Sequence, residues 1–378
     1  MTPAWPSIPS DAALSAALAP EFPRGVKLVQ ATPERTGRLT LRLETAPGET
    51  IEGLLFASGA AAEFEAVRAE YAAMGARAAA SEGLFVPFGG ADRELPALRA
   101  LLASGSPWRL VRHRLERRAV LRNDAERVHG KLFKSRKRAE RAAQTLSLVR
   151  EARLPAPEVR SVDPRMPLVA VETVPGDSLL EILAGAGAPA ACHAAGAALA
   201  LLARAPLEAA LPERHGVEDE FAVIDRWLGP LRTLAPGVHA EASRLFERLR
   251  ETARRLGSAG DLAPSHRDYY DKQILLSGGA ARIVDWDSLA MADPALDAGN
   301  FLAHLALRVR QGKAPAEREE ALRRAFLDGR GDFPTRARVP FFEAAALLRI
   351  AALYALRPPH ARLVPGILAA AAERGEIA

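Results

Sequence analysis

Cysteine is almost absent from this 378-residue sequence. A single residue, Cys192, excludes a disulfide framework and a cysteine-based zinc site. A reducing, cytoplasmic setting is the default expectation for such a chain. The eight histidines are scattered, and none stands at metal-ligand spacing from Cys192 or another histidine. Long apolar runs are also missing. The most apolar late segment, Val339 to Leu356, is interrupted by Glu343 and Arg349, so it reads as a buried helix and no membrane association is expected. The opening MTPAWPSIPSDAALSAAL has no basic n-region and no long apolar core, so no signal peptide is expected. No Gly-x-Ser-x-Gly elbow, Walker A loop or dinucleotide fingerprint occurs. Neither charge sign dominates: 51 Lys and Arg face 46 Asp and Glu, a net +5 that suits an anionic ligand without specifying one.

Hydrophobic residues at 49% and charged residues at 26% describe a globular protein. Its length allows two or three domains. Residues 1–24 read as an irregular lead with one short helix. Residues 26–57 read as strands, with Leu39, Leu41 and Leu43 alternating and Ala46-Pro47-Gly48 turning the chain. Residues 60–80 are Ala-rich and helical, and 81–107 read as a loop-rich connector. A second strand block spans 109–133, followed by a charged helix over about 136–151 and a strand-like run from Pro167 to Val174. From Ser178 onward the chain is mostly helical. Without a gap, GLLFASGAAAEFEA from Gly53 matches GKLFKSRKRAERAA from Gly130 at several positions, but Leu54 stands opposite Lys131. Duplication and chance similarity between two Ala-rich strand-to-helix units are both open here.

The chemistry concentrates in HRDYYDKQILLSGGAARIVDWD, His266 to Asp287. Ile274–Leu276 and Ala281–Val284 are short apolar runs separated by Ser277-Gly278-Gly279-Ala280, which supplies a tight turn. Folded about Gly279, Gln273 comes opposite Asp285. Two oxygen-bearing side chains at the open end of one hairpin can share a hard cation such as Mg²⁺. Asp268, on the loop entering the hairpin, can face a hydroxyl beside that metal. This constellation suits phosphoryl transfer, which needs positioning and charge neutralisation more than covalent chemistry.

His266-Arg267-Asp268, Gln273 and Ile283-Val284-Asp285-Trp286-Asp287 together resemble the protein-kinase-like fold. More closely, they resemble its branch of aminoglycoside phosphotransferases, choline kinases and related small-molecule kinases. Ala292-Asp293-Pro294-Ala295-Leu296-Asp297 is similar to that branch's Gly-Asp-Pro-x-x-Asp segment. The resemblance implies an α+β bilobal fold with a small β-rich lobe (96–175) and a larger helical lobe (176–378) carrying the catalytic hairpin. Residues 1–95 become an N-terminal α+β extension, which duplication would make a degenerate copy of the small lobe's sheet and helix.

The resemblance further implies Asp268 as the catalytic aspartate, Gln273 and Asp285 as metal ligands, and His266 and Asp297 as braces of the loop. Gln273 stands where the family has Asn, and Arg267 where this branch usually has Gly. A kinase-like fold also needs a strand lysine for the nucleotide phosphates, with a helix glutamate beside it. In ERVHGKLFK the family pattern favours Lys131 over Lys134, with Glu140 as partner. The inter-lobe strand from Leu168 would present backbone groups at Glu172 and Val174 to adenine. No Gly-rich phosphate loop is found; Arg114 to Arg118 lies in its place, with Arg117 or Arg118 as side-chain alternatives. The basic run around Lys134 to Arg141 has no flanking aromatics for base stacking, so no nucleic acid partner is expected. Glu218-Asp219-Glu220 reads as a helix start.

The implied activity is transfer of the γ-phosphoryl group of ATP, or GTP, with Mg²⁺, to a hydroxyl of a small polar molecule of aminoglycoside, amino-alcohol or sugar type. A catalytically silent kinase-like module that binds nucleotide or a partner is the alternative. The sequence leaves the acceptor and the oligomeric state undetermined.

Overall fold

The structure, a computed structural model, describes residues 5–46, 48–257 and 260–377. Pro47, centre of the expected Ala46–Gly48 turn, lies outside the described residues. After helix α1 (Asp11–Leu18), the strands β1 (Val26–Pro33), β2 (Leu39–Thr45), β3 (Thr50–Leu55), β4 (Ala78–Ser81) and β5 (Leu84–Pro87) form an antiparallel sheet ordered β1-β2-β3-β5-β4. Leu39, Leu41 and Leu43 are all buried, as their alternation predicts. Helix α2 (Ala61–Ala73) joins β3 to β4. The segment expected to be a connector from residue 81 contains β5 instead. Its four residues, Leu84 to Pro87, are buried, but they sit between Gly83 and Gly89-Gly90 and are too few to show a period.

Past the four-residue α3 (Leu98–Leu101), a second sheet forms from β6 (Arg109–Arg114), β7 (Arg118–Asn123), β8 (Val128–Phe133), β9 (Val159–Val162) and β10 (Leu168–Glu172). Its order, β6-β7-β8-β10-β9, repeats that of the first sheet, and helix α4 (Arg136–Glu151) again joins the third strand to the fourth. Both third strands carry a glycine where a neighbour presses close. A Cβ on Gly53 would meet the Val86 side chain at 2.7 Å, and one on Gly130 would meet the Trp108 ring at 2.9 Å.

The rest is mainly helical: α5 (Leu179–Ile182), α6 (Ala188–Ala203), α7 (Val217–Leu234), α8 (Pro236–Leu256), α9 (Leu296–Arg310), α10 (Glu319–Arg330), α11 (Val339–Tyr354) and α12 (Val364–Ile377). Between them lie the short strands β11 (Asp177–Ser178), β12 (Arg214–His215), β13 (Ala263–Ser265), β14 (Ile274–Ser277), β15 (Ala280–Ile283) and β16 (Ala290–Ala292). Gly196 of α6 and Gly329 of α10 let those helices touch backbone to backbone; a Cβ on either would collide with a carbonyl of the other. One apolar core runs from α4 and β10 through to α12. The first sheet has its own core, closed by Leu234 of α7, and Ala31 of β1 donates its N–H to the Leu356 carbonyl at 2.8 Å. Among the described residues no helix is long and apolar enough to cross a membrane.

Candidate active site

The β14–β15 hairpin closes on Gly278-Gly279, both at positive φ (57° and 81°), a two-residue turn only glycines adopt readily. Ile274 therefore pairs with Ile283, and Gln273 lies opposite Val284, whose N–H donates to the Gln273 carbonyl at 2.9 Å. The expected pairing with Asp285 is thus displaced by one residue, because both glycines occupy the turn. Asp285 still reaches the site. It takes a left-handed conformation (φ 64°, ψ 55°), unfavourable for a non-glycine, which turns its carboxylate back toward the hairpin mouth. The Gln273 amide nitrogen lies 3.3 Å from Asp268 Oδ2 and 3.5 Å from Asp285 Oδ2, so the three predicted residues meet. Between the two aspartates of the Asp-Trp-Asp triplet, Trp286 is buried and its indole N–H donates to the Ile283 carbonyl at 2.8 Å. It anchors the turn while Asp285 and Asp287 project into the cleft.

The loop from His266 to Asp271 is pinned almost residue by residue. The buried Asp297 carboxylate accepts the N–H groups of His266 and Arg267, each at 2.7 Å. His266 directs Nε2 at the Val284 carbonyl, 3.0 Å away, which ties the loop to the hairpin. Tyr269 donates its hydroxyl to the Ala195 carbonyl at 2.7 Å, and Asp271 is paired with Arg308. Burial presses His266 down to about 4, so the ring is neutral near pH 7 and Nε2–H is a plain donor. Burial lifts Asp268 to about 6, against the opposing pull of Arg349. Burial also pushes Asp285 up, but the Lys131 ammonium and the Arg118 guanidinium more than reverse this and hold it well below the usual carboxylate range.

Lys134 lines the cleft, but it is Lys131 that reaches the aspartates of the hairpin. Its Nζ lies 2.7 Å from Asp285 and 3.1 Å from Asp287, whereas Lys134 pairs with Glu94 at 3.3 Å. Glu140 does not join Lys131. It is exposed on α4, because Ala139, Ala142, Ala143 and Leu146 take the buried face and Glu140 lies about 100° round the helix from Ala139. Glu172 also departs from expectation. β10 is flanked by β8 and β9, the Glu172 N–H is donated to the Glu158 carbonyl at 2.9 Å, and its carboxylate is paired with Arg282. The N–H of that residue is therefore not free to face a base. Val174 lies beyond the strand and is buried.

A cleft of about 1080 Å³ opens above Asp268, Asp285 and Asp287, with Phe133, Arg138, Ala142 and Thr145 on one wall. Its roof is the β6–β7 turn, Arg114 to Arg118, in the place where a Gly-rich loop is absent. The first sheet and its following segment hold that turn. Arg38 and Arg93 pair with the buried Glu116, the Leu115 N–H donates to Glu52 at 2.7 Å, the Glu116 N–H donates to Asp92 at 2.8 Å, and Arg117 pairs with Glu34 at 2.7 Å. Arg118 reaches down to Asp287 at 3.0 Å. Sequence alone did not connect these partners, since Glu34 and Arg38 lie in the β1–β2 turn and Glu52 in β3, all parts of the other sheet.

The donor chemistry fits Mg²⁺. Asp285 and the Gln273 amide, which carries an oxygen as well as a nitrogen, are hard ligands, and Lys131 and Arg118 already supply positive charge there. Among the described residues no group of three or more His, Cys, Asp or Glu side chains is placed to hold a metal. Mg²⁺ bound with substrate phosphates does not need such a cage.

Comparison with curated proteins gives no match. A choline/ethanolamine kinase family protein from Mesorhizobium loti superposes with a TM-score of 0.50 at 24% identity, over 75% of this chain and 92% of that one. An aminoglycoside phosphotransferase from Streptomyces rimosus, solved with ADP and streptomycin, gives 0.50 at 20% identity over 69% and 98%. The choline kinase of Cryptosporidium parvum gives 0.51 at 11% identity over 71% and 88%. These likenesses establish the bilobal kinase-like fold. A family model described as the phosphotransferase enzyme family matches residues 107–342, from the start of the second sheet into α11. With more than half of its length matched, the chain belongs to the phosphotransferase enzyme family.

Proposed function

We propose that this protein transfers the γ-phosphoryl group of ATP to a hydroxyl of a small polar molecule with Mg²⁺ present. The observation that carries the reading is the chain of contacts, none longer than 3.5 Å, that runs from Asp268 through Gln273 and Asp285 to Lys131, with both aspartates lining the cleft. The ADP bound in one structural neighbour agrees with a nucleotide in that cleft. Asp268 accepts the proton of the acceptor hydroxyl as its oxygen bonds to the γ-phosphorus. The bond from that phosphorus to the β–γ bridging oxygen breaks, and ADP leaves with the electron pair. Lys131 and Arg118 neutralise phosphate oxygens, and His266 and Asp297 hold the Asp268 backbone in place. Mg²⁺, held by Gln273 and Asp285, would supply charge neutralisation on the phosphates. Val174, just past the last β10 pairing, offers backbone groups for the base; whether ATP or GTP is preferred follows from that contact.

The extension reads as a second copy of the small lobe's sheet and helix, with Leu54 standing where the catalytic copy has Lys131. The repeated strand order, the repeated helix position and the paired glycines support this. Without the lysine, this copy holds no nucleotide.

The test is thermal unfolding with ATP, with and without Mg²⁺. The expected result is a rise in midpoint that depends on Mg²⁺ and is lost in Lys131→Ala. Stabilisation of about 2.7 kcal/mol follows at ATP one hundred times its Kd. No shift under any condition would favour a catalytically silent module.

A further inference from the structure

We infer that the phosphoryl acceptor is an anion, a hydroxyl compound carrying a phosphate or carboxylate, bound in a basic pocket beside Asp268. This rests on the kinase reading above and names its substrate class. The pocket, of about 190 Å³, lies between the first sheet, β6, α7 and the end of α11. Arg112, Arg114 and Arg357 line it, with Trp227 and Leu353 as apolar walls. Arg114 also lines the large cleft that contains Asp268, so the two spaces share a wall. Arg112 and Arg114 alternate along β6 and therefore point the same way.

The cations outnumber the anions available to them. Of the two carboxylates lining the pocket, Glu52 is taken by Arg42 at 2.5 Å and Glu34 by Arg117 at 2.7 Å; nearby, Asp271 is taken by Arg308 and Asp285 by Lys131. Among the described residues Arg112, Arg114, Arg349 and Arg357 have no carboxylate within the 4.0 Å of an ion pair. Arg349 bonds only the neutral Asn300 amide oxygen, at 2.6 Å, and Arg357 lies over the Tyr354 ring at 4.9 Å. The Nε atoms of Arg349 and Arg357 are buried without a partner, as is Nδ1 of His304, whose ring stacks on Tyr270 at 4.3 Å. Burial and then the neighbouring guanidiniums of Arg112, Arg118 and Arg42 press Arg114 down to about 10, which shows how closely like charges are held together. Arg114, Arg349 and Arg357 are half-buried and Arg112 is exposed, so this is a cluster of guanidiniums without countercharge, and an incoming anion supplies it. Arginine forks match carboxylate and phosphate oxygens two at a time. A polycationic acceptor would meet repulsion at the same place.

The test measures ADP release with glucose 6-phosphate, glucuronate, glucose and kanamycin as acceptors, in wild type and in Arg112→Gln and Arg357→Gln. Phosphate and carboxylate probes separate the two anion types. Expected is turnover of at least one anionic probe with kcat/KM about 100-fold above glucose, and a KM for that probe raised about 10-fold in each variant. The Mg²⁺-ATP midpoint shift should stay unchanged in both variants. Arg112 is exposed, so its replacement leaves folding intact. Preference for glucose or kanamycin, with ATP turnover intact, overturns the anionic acceptor and leaves the kinase reading standing. Should no probe be turned over, calorimetric binding of the anionic probes decides: saturable binding to wild type, absent for glucose and weakened about 10-fold in both variants, upholds the pocket, and its absence overturns it.

Discussion

Asp268→Asn is expected to lower kcat by about 10²- to 10⁴-fold, the usual contribution of a positioned general base. The Mg²⁺-dependent ATP midpoint shift should remain near wild type. Asn matches Asp in shape and keeps an oxygen for the Gln273 amide, which now lies 3.3 Å away, but it cannot take up a proton. An effect confined to kcat marks an interaction made only in the transition state. A variant that turns over at the wild-type rate would remove Asp268 from the reaction. The pH profile gives an independent check. Burial raises Asp268 to about 6, and only its ionised form accepts a proton, so activity should be full above that value and fall as pH drops through it. His266, held near 4 by its own burial, is neutral across this range and does not add to that limb. A rate that is flat from pH 7 to pH 5 would contradict the assignment.

Asp297→Ala is expected to be the most damaging substitution for stability, by about 2–5 kcal/mol. It leaves two N–H groups, the buried one of His266 and the part-buried one of Arg267, without acceptors, at about 1–3 kcal/mol for a buried group. Denaturant midpoints at constant slope measure this. The same change should lower kcat, because both N–H groups belong to the backbone that aims Asp268. Asp297→Asn keeps one acceptor oxygen and should recover part of the loss in both stability and kcat, with little change in KM. Asp297 touches no reacting atom, so this partial rescue distinguishes a positioning residue from a merely structural one. Equal stability of the Ala variant and wild type would show that the two N–H groups find other partners.

What could be read from the sequence was local. Asp268, Gln273 and Asp285 lie within 18 residues joined by one hairpin, so turn chemistry and alternation were enough to bring them together. Helix α4 was expected over about 136–151 and occupies Arg136–Glu151, since a charged stretch with alanines on one side has few alternatives. The family pattern also favoured Lys131 over Lys134. The failures have physical causes. A hairpin register is fixed by how many glycines enter the turn, and both did, which moved every pair by one. A single residue along a helix is a rotation of about 100°, so the face of Glu140 was settled by which alanines the core accepted. The strand β5 was hidden by its shortness. Arg112, Arg349 and Arg357 come from β6, α11 and the segment after it, and no local pattern joins elements so distant in the chain.

The first sheet touches both halves of the molecule. On one side it holds the Glu116 turn above the cleft, and on the other it meets Leu234 of α7 and Leu356 past the end of α11. A body fixed to both sides of a hinge behaves as a strut. Rocking of one half on the other must then carry the strut along or break the carboxylate contacts of Glu52, Asp92 and Glu116. In the proposed reaction, nucleotide entry and product exit would then depend on the compliance of this side brace as well as on the chain between the two halves.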